Sequence, residues 1–236
     1  MIVSLVVLVV ILILSVPAAI IFIPLTLITG KAAPLYYAVC FITRTGFAVA
    51  GIRIKVEGRE RVPRDQACIF LANHVSNLDP PALIPRIPGR TSGFAKRGVF
   101  KLPVFGYCLK LGQFIPVDRT GDAATAQASV AAARHILATG LHITTFVEGT
   151  RSKDGRMLPF KKGPFYLAKE TGGLCVPVSI SGTETLMAKG SMKIKPGKVR
   201  IVFHEPLNPA DFATREELSA AVRKAIASGL PEWMRG

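Results

Sequence analysis

The chain has 236 residues, with 30 Lys+Arg against 15 Asp+Glu for a formal net charge of +15, and half of its residues are apolar. Such a composition excludes a disordered tail, which needs low hydrophobicity, and the length suits one ordinary domain, or one domain with a short appendage. Four widely spaced cysteines without a C-x-x-C pair argue against a zinc ribbon or a thioredoxin-type site and read as buried free thiols in a reducing compartment, while the basic surface favours a polyanion or an anionic membrane.

The first 30 residues contain no Lys, Arg, Asp or Glu. The basic opening of a secretory signal is absent, and the run is long enough to span a bilayer, although Pro17 and Pro24 are expected to kink or break it. A second apolar run over 34–52 carries Arg44 near its middle, a costly residue for the centre of a lipid-facing helix. Residues 1–50 therefore read as a pair of membrane-embedded helices, re-entrant or partly interfacial, holding the remainder against the bilayer. One ordinary anchor helix is the alternative.

From residue 51 the pattern changes to short strands alternating with helices. Residues 52–56 alternate with period two, and 68–71, 143–147, 176–180 and 199–203 are short runs rich in apolar residues that read as further strands. Helical stretches over 123–138, 164–170 and 215–227 close at Gly140, Gly172 and Gly229. The spacing predicts an α/β domain over 51–236, a mixed, largely parallel sheet flanked by helices and preceded by the N-terminal membrane-embedded helical pair.

His74 and Asp79 follow the second expected strand, five positions apart. On a regular helix that offset turns two side chains about 140° from one another, so they meet only across a strand-to-helix turn. Asp79 before Pro80 also suits a helix N-cap. In the functional reading Asp79 accepts a hydrogen bond from one ring nitrogen of His74, and the other nitrogen takes a proton from a hydroxyl. This is the orienting half of a triad without a built-in nucleophile.

Further along, a strand ending at Val147 delivers Glu148, Gly149, Thr150 and Arg151 into a loop. There Gly149 lets the backbone approach a ligand and Arg151 offers a fork to phosphate oxygens. Glu148 would repel a phosphate, so holding Arg151 or accepting from a substrate hydroxyl suits it better. An ordinary turn with a solvated Arg is the bland alternative. Lys153, Arg156, Lys161 and Lys162 form a basic stretch that reads as a solvated face or as a contact for anionic lipid heads or coenzyme A phosphates. His135, His142 and His204 lack an Asp five positions on and read as structural or exposed. Ser76 lacks a nucleophile elbow, and Cys68, inside an apolar strand, reads as an inert thiol.

Asn73 to Asp79 resembles the H-x4-D motif of the 1-acylglycerol-3-phosphate acyltransferases, the glycerolipid H-x4-D acyltransferase family. The stretches 93–97, 100–106 and 112–119 look like its second block, Phe146 to Ser152 like its third and 176–180 like its fourth, so the resemblance covers about residues 70–180. Two departures stand out: Val147 replaces the usual Pro of the third block, which is expected to alter only loop stiffness, and Arg97-Gly98 follows Lys96 where an acidic residue is common.

The resemblance implies a membrane-bound acyltransferase that moves a fatty acyl group from a thioester to lysophosphatidic acid, giving phosphatidic acid. His74 is then the general base, Asp79 its orienting partner, and Lys96, Glu148, Gly149, Thr150 and Arg151 bind the acceptor. The helix starting at Pro80 is a candidate source of oxyanion-stabilising N–H groups. No metal and no bound cofactor are expected; acyl-coenzyme A or acyl carrier protein serves as co-substrate. The expected partners are membrane phospholipids and a lysophospholipid, not nucleic acid, with the catalytic domain on the cytoplasmic face, where anionic lipids attract a basic body. Glycerol-3-phosphate or another lysolipid, such as lyso-ornithine lipid, is an alternative acceptor, and a non-catalytic anionic-lipid adaptor is the alternative from another class.

Overall fold

The structure is a computed structural model that describes residues 2–117 and 123–236; Asp118 and Arg119 of the second block lie outside the described residues. Charge-free sequence forms α1 (Ile2–Thr29), which continues through both Pro17 and Pro24, so neither proline breaks it. Its 28 residues reach about 42 Å at the α-helical rise, enough to cross a hydrocarbon core of roughly 30 Å. After a Gly30 turn, α2 (Ala33–Val49) returns along α1, with Ile11 and Val7 close to Gly46. Arg44 does not face lipid alone: its guanidinium donates to the Pro85 carbonyl, while Tyr36 Oη donates to the Ile84 carbonyl at 3.4 Å and Arg86 lies over the Phe47 ring. The second helix is thereby docked on the following domain.

That domain runs β1 (Ile52–Glu57), β2 (Cys68–Ala72), α3 (Asp79–Leu83), β3 (Thr91–Lys96), α4 (Phe105–Leu111), β4 (Ile115–Val117), α5 (Ala123–Ala138), β5 (His142–Phe146), α6 (Lys162–Thr171), β6 (Leu174–Ser181), α7 (Thr183–Leu186), β7 (Gly197–Phe203) and α8 (Arg215–Gly229). The strand order is β1-β7-β6-β2-β5-β3-β4. Five neighbours, β6 to β4 in that order, are parallel; β7 is antiparallel to β6 and carries β1 parallel to itself, so the sheet is mixed and largely parallel.

The expected strands and helices are all present. Helix α3 starts at the Asp79-Pro80 pair as expected, whereas the short β4 and the one- or two-turn helices α4 and α7 are additions, since segments of that length carry too little periodicity to stand out. Helix α6 closes on Gly172 in the left-handed region. Gly229, expected as a stop, instead ends α8 from within, because it packs where a Cβ would lie 2.5 Å from Ser179 Oγ.

Pleating sends alternate residues of the fully buried β2 to two cores. Cys68, Phe70 and Ala72 join α1, α2 and α3 through Val7, Phe47, Ala82 and Leu83. Ile69 and Leu71 join α5, α6 and α8 through Ile136, Phe165 and Leu218. Cys40, Cys68 and Cys175 are buried and Cys108 half-buried, all as free thiols, and burial pushes the Cys68 thiol up to about 11.

Candidate active site

In an open α/β sheet, functional groups gather outside the carboxyl ends of parallel strands. Here β2 ends into His74, β3 ends at Lys96, β5 ends into Glu148 and β6 ends into Thr183, so chain direction alone brings four segments to one edge. Each strand stops there for a local reason. Asn73 caps β2 against β6, its amide donating to the Ile180 carbonyl at 2.9 Å and accepting from the Ile180 N–H at 2.8 Å. After β5 a turn closes with Gly149 N–H donating to the Phe146 carbonyl at 3.0 Å, and Gly149 sits at φ +65°, a value favouring glycine.

His74 and Asp79 meet across the turn between β2 and α3. His74 Nδ1 lies 2.8 Å from Asp79 Oδ2, which also accepts from the N–H groups of Val75 at 2.7 Å and Ser76 at 2.8 Å. The other oxygen, Oδ1, accepts from the Thr183 hydroxyl at 2.5 Å. Four donors hold a carboxylate with 0% exposure, while the His74 side chain keeps 17%. Since Asp79 only accepts, Nδ1 carries the proton of the neutral ring, and Nε2, without a hydrogen bond among the described residues, presents its lone pair. The ring stacks on Phe146 with centroids 4.2 Å apart and planes 26° from parallel, which fixes its tilt.

Two sequence expectations are corrected here. Asp79 is not the N-cap of α3: that place belongs to Leu78, and the carboxylate turns back to residues 74–76 instead. Nor does α3 offer oxyanion-stabilising N–H groups at its start, because Pro80 and Pro81 have none and Asp79 N–H donates to the Ser76 carbonyl. Ser76 makes no nucleophile either: its buried hydroxyl donates to the Met187 carbonyl and accepts from Leu78 N–H.

The 148–152 loop is hooked onto the same histidine. Glu148 Oε1 accepts from the His74 backbone N–H at 2.9 Å, its Oε2 accepts from Leu158 N–H at 3.0 Å, and Ser152 N–H donates to the His74 carbonyl at 2.9 Å. Both oxygens of Glu148 are thus engaged by backbone, so it braces the loop and does not hold Arg151, the first of the two roles expected for it. Burial pushes its carboxyl up to about 7, against the pull of those two N–H groups. Thr150 and Arg151 are half-buried, and Arg151 is held through its backbone, whose carbonyl accepts from Lys189 Nζ at 2.7 Å. Its guanidinium makes no hydrogen bond or ion pair among the described residues. Lys96 is exposed at the end of β3, two strands from β2.

Val147 does more than loosen a loop. Its N–H donates to the Ala72 carbonyl at 3.0 Å, extending the β2–β5 ladder by one bond that a proline could not supply. Lys153, Arg156, Lys161 and Lys162 are exposed, with Lys161 beside Gly149. The other histidines separate as expected. His135 is exposed, His142 Nδ1 accepts from Cys68 N–H, and His204 pairs with Ser179 while burial pushes it down to about 4. Among the described residues no three His, Cys, Asp or Glu side chains gather as a metal cage.

Sequence reasoning missed Thr183 and Phe146. Gly182-Thr183 lies one residue beyond the fourth block, and a Gly-Thr pair just past the end of a strand at the motif edge was the available signal. Phe146 was visible only as a strand residue.

Comparison with known proteins gives a consistent picture. The family model described as Acyltransferase matches residues 53–181. A 1-acyl-sn-glycerol-3-phosphate acyltransferase of Limnanthes douglasii is 35% identical over 164 residues, 70% of this chain and 58% of that protein. The human 1-acyl-sn-glycerol-3-phosphate acyltransferase alpha is 31% identical over 172 residues, 72% of this chain and 60% of that protein. The chain therefore spans less than two thirds of the length of these relatives. The crystal structure of the 1-acyl-sn-glycerophosphate (LPA) acyltransferase PlsC from Thermotoga maritima superposes with a TM-score of 0.73 at 31% identity, covering 84% of this chain and 80% of that one.

Proposed function

This chain belongs to the Acyltransferase family, and from that premise we propose that it is a 1-acyl-sn-glycerol-3-phosphate O-acyltransferase, converting lysophosphatidic acid and an acyl thioester to phosphatidic acid. The observation that carries the reading is the contact of His74 Nδ1 with a four-donor, fully buried Asp79, which leaves Nε2 directed outward at the carboxyl edge of the sheet.

Nε2 removes the proton of the acceptor's free hydroxyl as its oxygen attacks the thioester carbonyl, and Asp79 stabilises the imidazolium so formed. The tetrahedral intermediate collapses with breakage of the C–S bond, and the imidazolium returns its proton to the departing thiolate. Lys96 and Arg151 take the acceptor phosphate, with Gly149 and Thr150 shaping the backbone around it and Glu148 bracing the loop on His74. The donor is acyl-coenzyme A or acyl carrier protein, and the reaction uses no bound cofactor.

Residues 1–50 anchor the protein and 51–236 perform the chemistry. A lipid-seated site suits an acceptor and a product whose acyl chains are costly to expose to water. The catalytic domain lies at the cytoplasmic leaflet, a reading supported by the attraction of anionic lipids for a basic body.

Purified full-length protein in detergent, given lysophosphatidic acid with either acyl donor, is expected to yield phosphatidic acid. Lyso-ornithine lipid and glycerol-3-phosphate, run in parallel, should be poorer acceptors. Preferred acylation of either one would overturn the assignment.

A further inference from the structure

From the segment after β3 into the first turn of α4 the chain exposes a second apolar surface, separate from α1. Leu102, Val104, Phe105 and Tyr107 are each between 41% and 55% accessible. Four large apolar side chains within six positions form a patch, not the scattered exposure found on any soluble surface. The backbone contributes to it: Phe105 N–H donates to the Pro103 carbonyl at 2.5 Å, closing a γ-turn on Val104 at φ 60° and ψ −60°. That is a region a β-branched residue rarely adopts, and Val104 is exposed there. Lys101 and Lys110, both exposed, flank the patch in sequence.

The sheet topology fixes where this patch stands. Strand β4 lies beyond β3 in the same direction that β3 lies from β2, so right-handed crossovers put α3 and α4 on one face of the sheet. Helix α3 is on the face covered by α1 and α2, where Val3, Val7 and Ile11 pack with Leu83 and Phe70. Phe114, just after α4, agrees. Its ring is 3.3 Å from where a Cβ on Gly93 would be, and Gly93 pairs with Thr144 on the same side of the sheet as Phe146. His74, stacked on Phe146, therefore lies between the helical pair and the exposed 102–107 segment, all on one face.

We propose that residues 102–107 form a second bilayer-seated element, inserting Leu102, Val104, Phe105 and Tyr107 into an anionic phospholipid surface with Lys101 and Lys110 at the headgroups. Together with α1 it straddles the site, so that His74 faces the bilayer between two lipid contacts. The occupant is a bilayer because the patch is exposed, apolar and cation-flanked, the composition of an interfacial lipid anchor. The proposal deepens the membrane placement stated above, and its test reads lipid contact without turnover.

The sole tryptophan, Trp233, belongs to the turn whose Met234 packs in the opposite core, and is itself 50% exposed. It is a built-in control. Full-length Phe105→Trp and Leu102→Trp variants, each in a Trp233→Phe background, are reconstituted into phosphatidylglycerol-containing vesicles with acyl-brominated lipid. Both are expected to lose emission strongly, whereas Trp233 in the unmodified protein keeps its own. Quenching of both probes no greater than that of Trp233 would overturn the proposal. So would a response of the probes to acidic acyl carrier protein with none to brominated lipid. Turnover measured on the same vesicles separates the claims: quenching without phosphatidic acid formation leaves this element standing and removes the enzymatic reading, and the converse removes this element alone.

Discussion

Replacing Asp79 by Asn removes the charge and exchanges one carboxylate oxygen for an NH2 with little change of shape, which makes it the sharpest probe of how the buried carboxylate works. Among the described residues Oδ2 takes three donors, from His74, Val75 and Ser76, whereas Oδ1 takes only the Thr183 hydroxyl. A carboxamide fits one way round: its oxygen occupies the three-donor position and its NH2 faces Thr183, whose hydroxyl rotates to accept. The fold should survive, since each retained bond declines from the charge-assisted range of about 1.5–3 kcal/mol towards the neutral value of about 1 kcal/mol. The imidazolium formed during transfer, however, loses its counter-charge. Turnover should fall by roughly 10²–10⁴, with KM for lysophosphatidic acid nearly unchanged because Asp79 is sealed from solvent. Steady-state kinetics beside a thermal melt check both parts. A kcat close to wild type in a folded Asp79→Asn protein would refute the reasoning. Asp79→Ala, which strands all four donors, should instead lose about 3–5 kcal/mol of stability.

Thr183→Val removes the one donor on Oδ1 with little change of shape and should reduce kcat about tenfold, for a loss of about 1.4 kcal/mol in the transition state; Thr183→Ser should restore it, and equal kcat in the Val and Ser variants would remove Thr183 as a positioning residue. Glu148, with a folded value of about 7 above its ordinary 4.5, contributes stability that is complete below about 4.5 and lost as pH rises through 7, up to ~3 kcal/mol. The melting temperature should therefore show a downward pH dependence across that window that Glu148→Gln flattens, and an equal slope in both proteins would contradict the burial argument. Gly182 sits at φ +98°, with a Cβ position 2.2 Å from the Lys198 carbonyl oxygen. Gly182→Ala should lower stability by about 2–4 kcal/mol and reduce turnover with it, since Thr183 is the next residue; an unchanged melt would show that the turn adapts.

Much of this architecture was legible in the residues because its elements are punctuated. Period-two alternation at 52–56, the apolar run at 68–71 and the Gly172 stop each state a local preference that tertiary packing leaves in place. The His74–Asp79 pair stood out through its resemblance to the H-x4-D motif, and its five-residue offset, which cannot close on a helix, specified a turn. What lay beyond reach were contacts set by strand order. Thr183 lies 104 positions from Asp79 in the chain, and only the adjacency of β2 and β6 unites them. The backbone engagement of Glu148 was hidden for the same reason, because the N–H groups that hold it belong to residues 74 and 158. Pro80 and Pro81 looked like a helix start suited to an oxyanion, yet the property that starts the helix, the missing N–H, is the one that disqualifies it. Reading through Pro17 and Pro24 failed in the other direction, since two missing donors in a 28-residue apolar helix did not interrupt it.

The central claim is that His74 Nε2 is the base that activates the acceptor hydroxyl. It is tested by purifying His74→Ala beside the wild type and measuring phosphatidic acid formation and vesicle binding on the same preparations. Turnover should drop by at least about 10² while binding to anionic vesicles is retained. Undiminished acyl transfer by the folded variant would contradict the account.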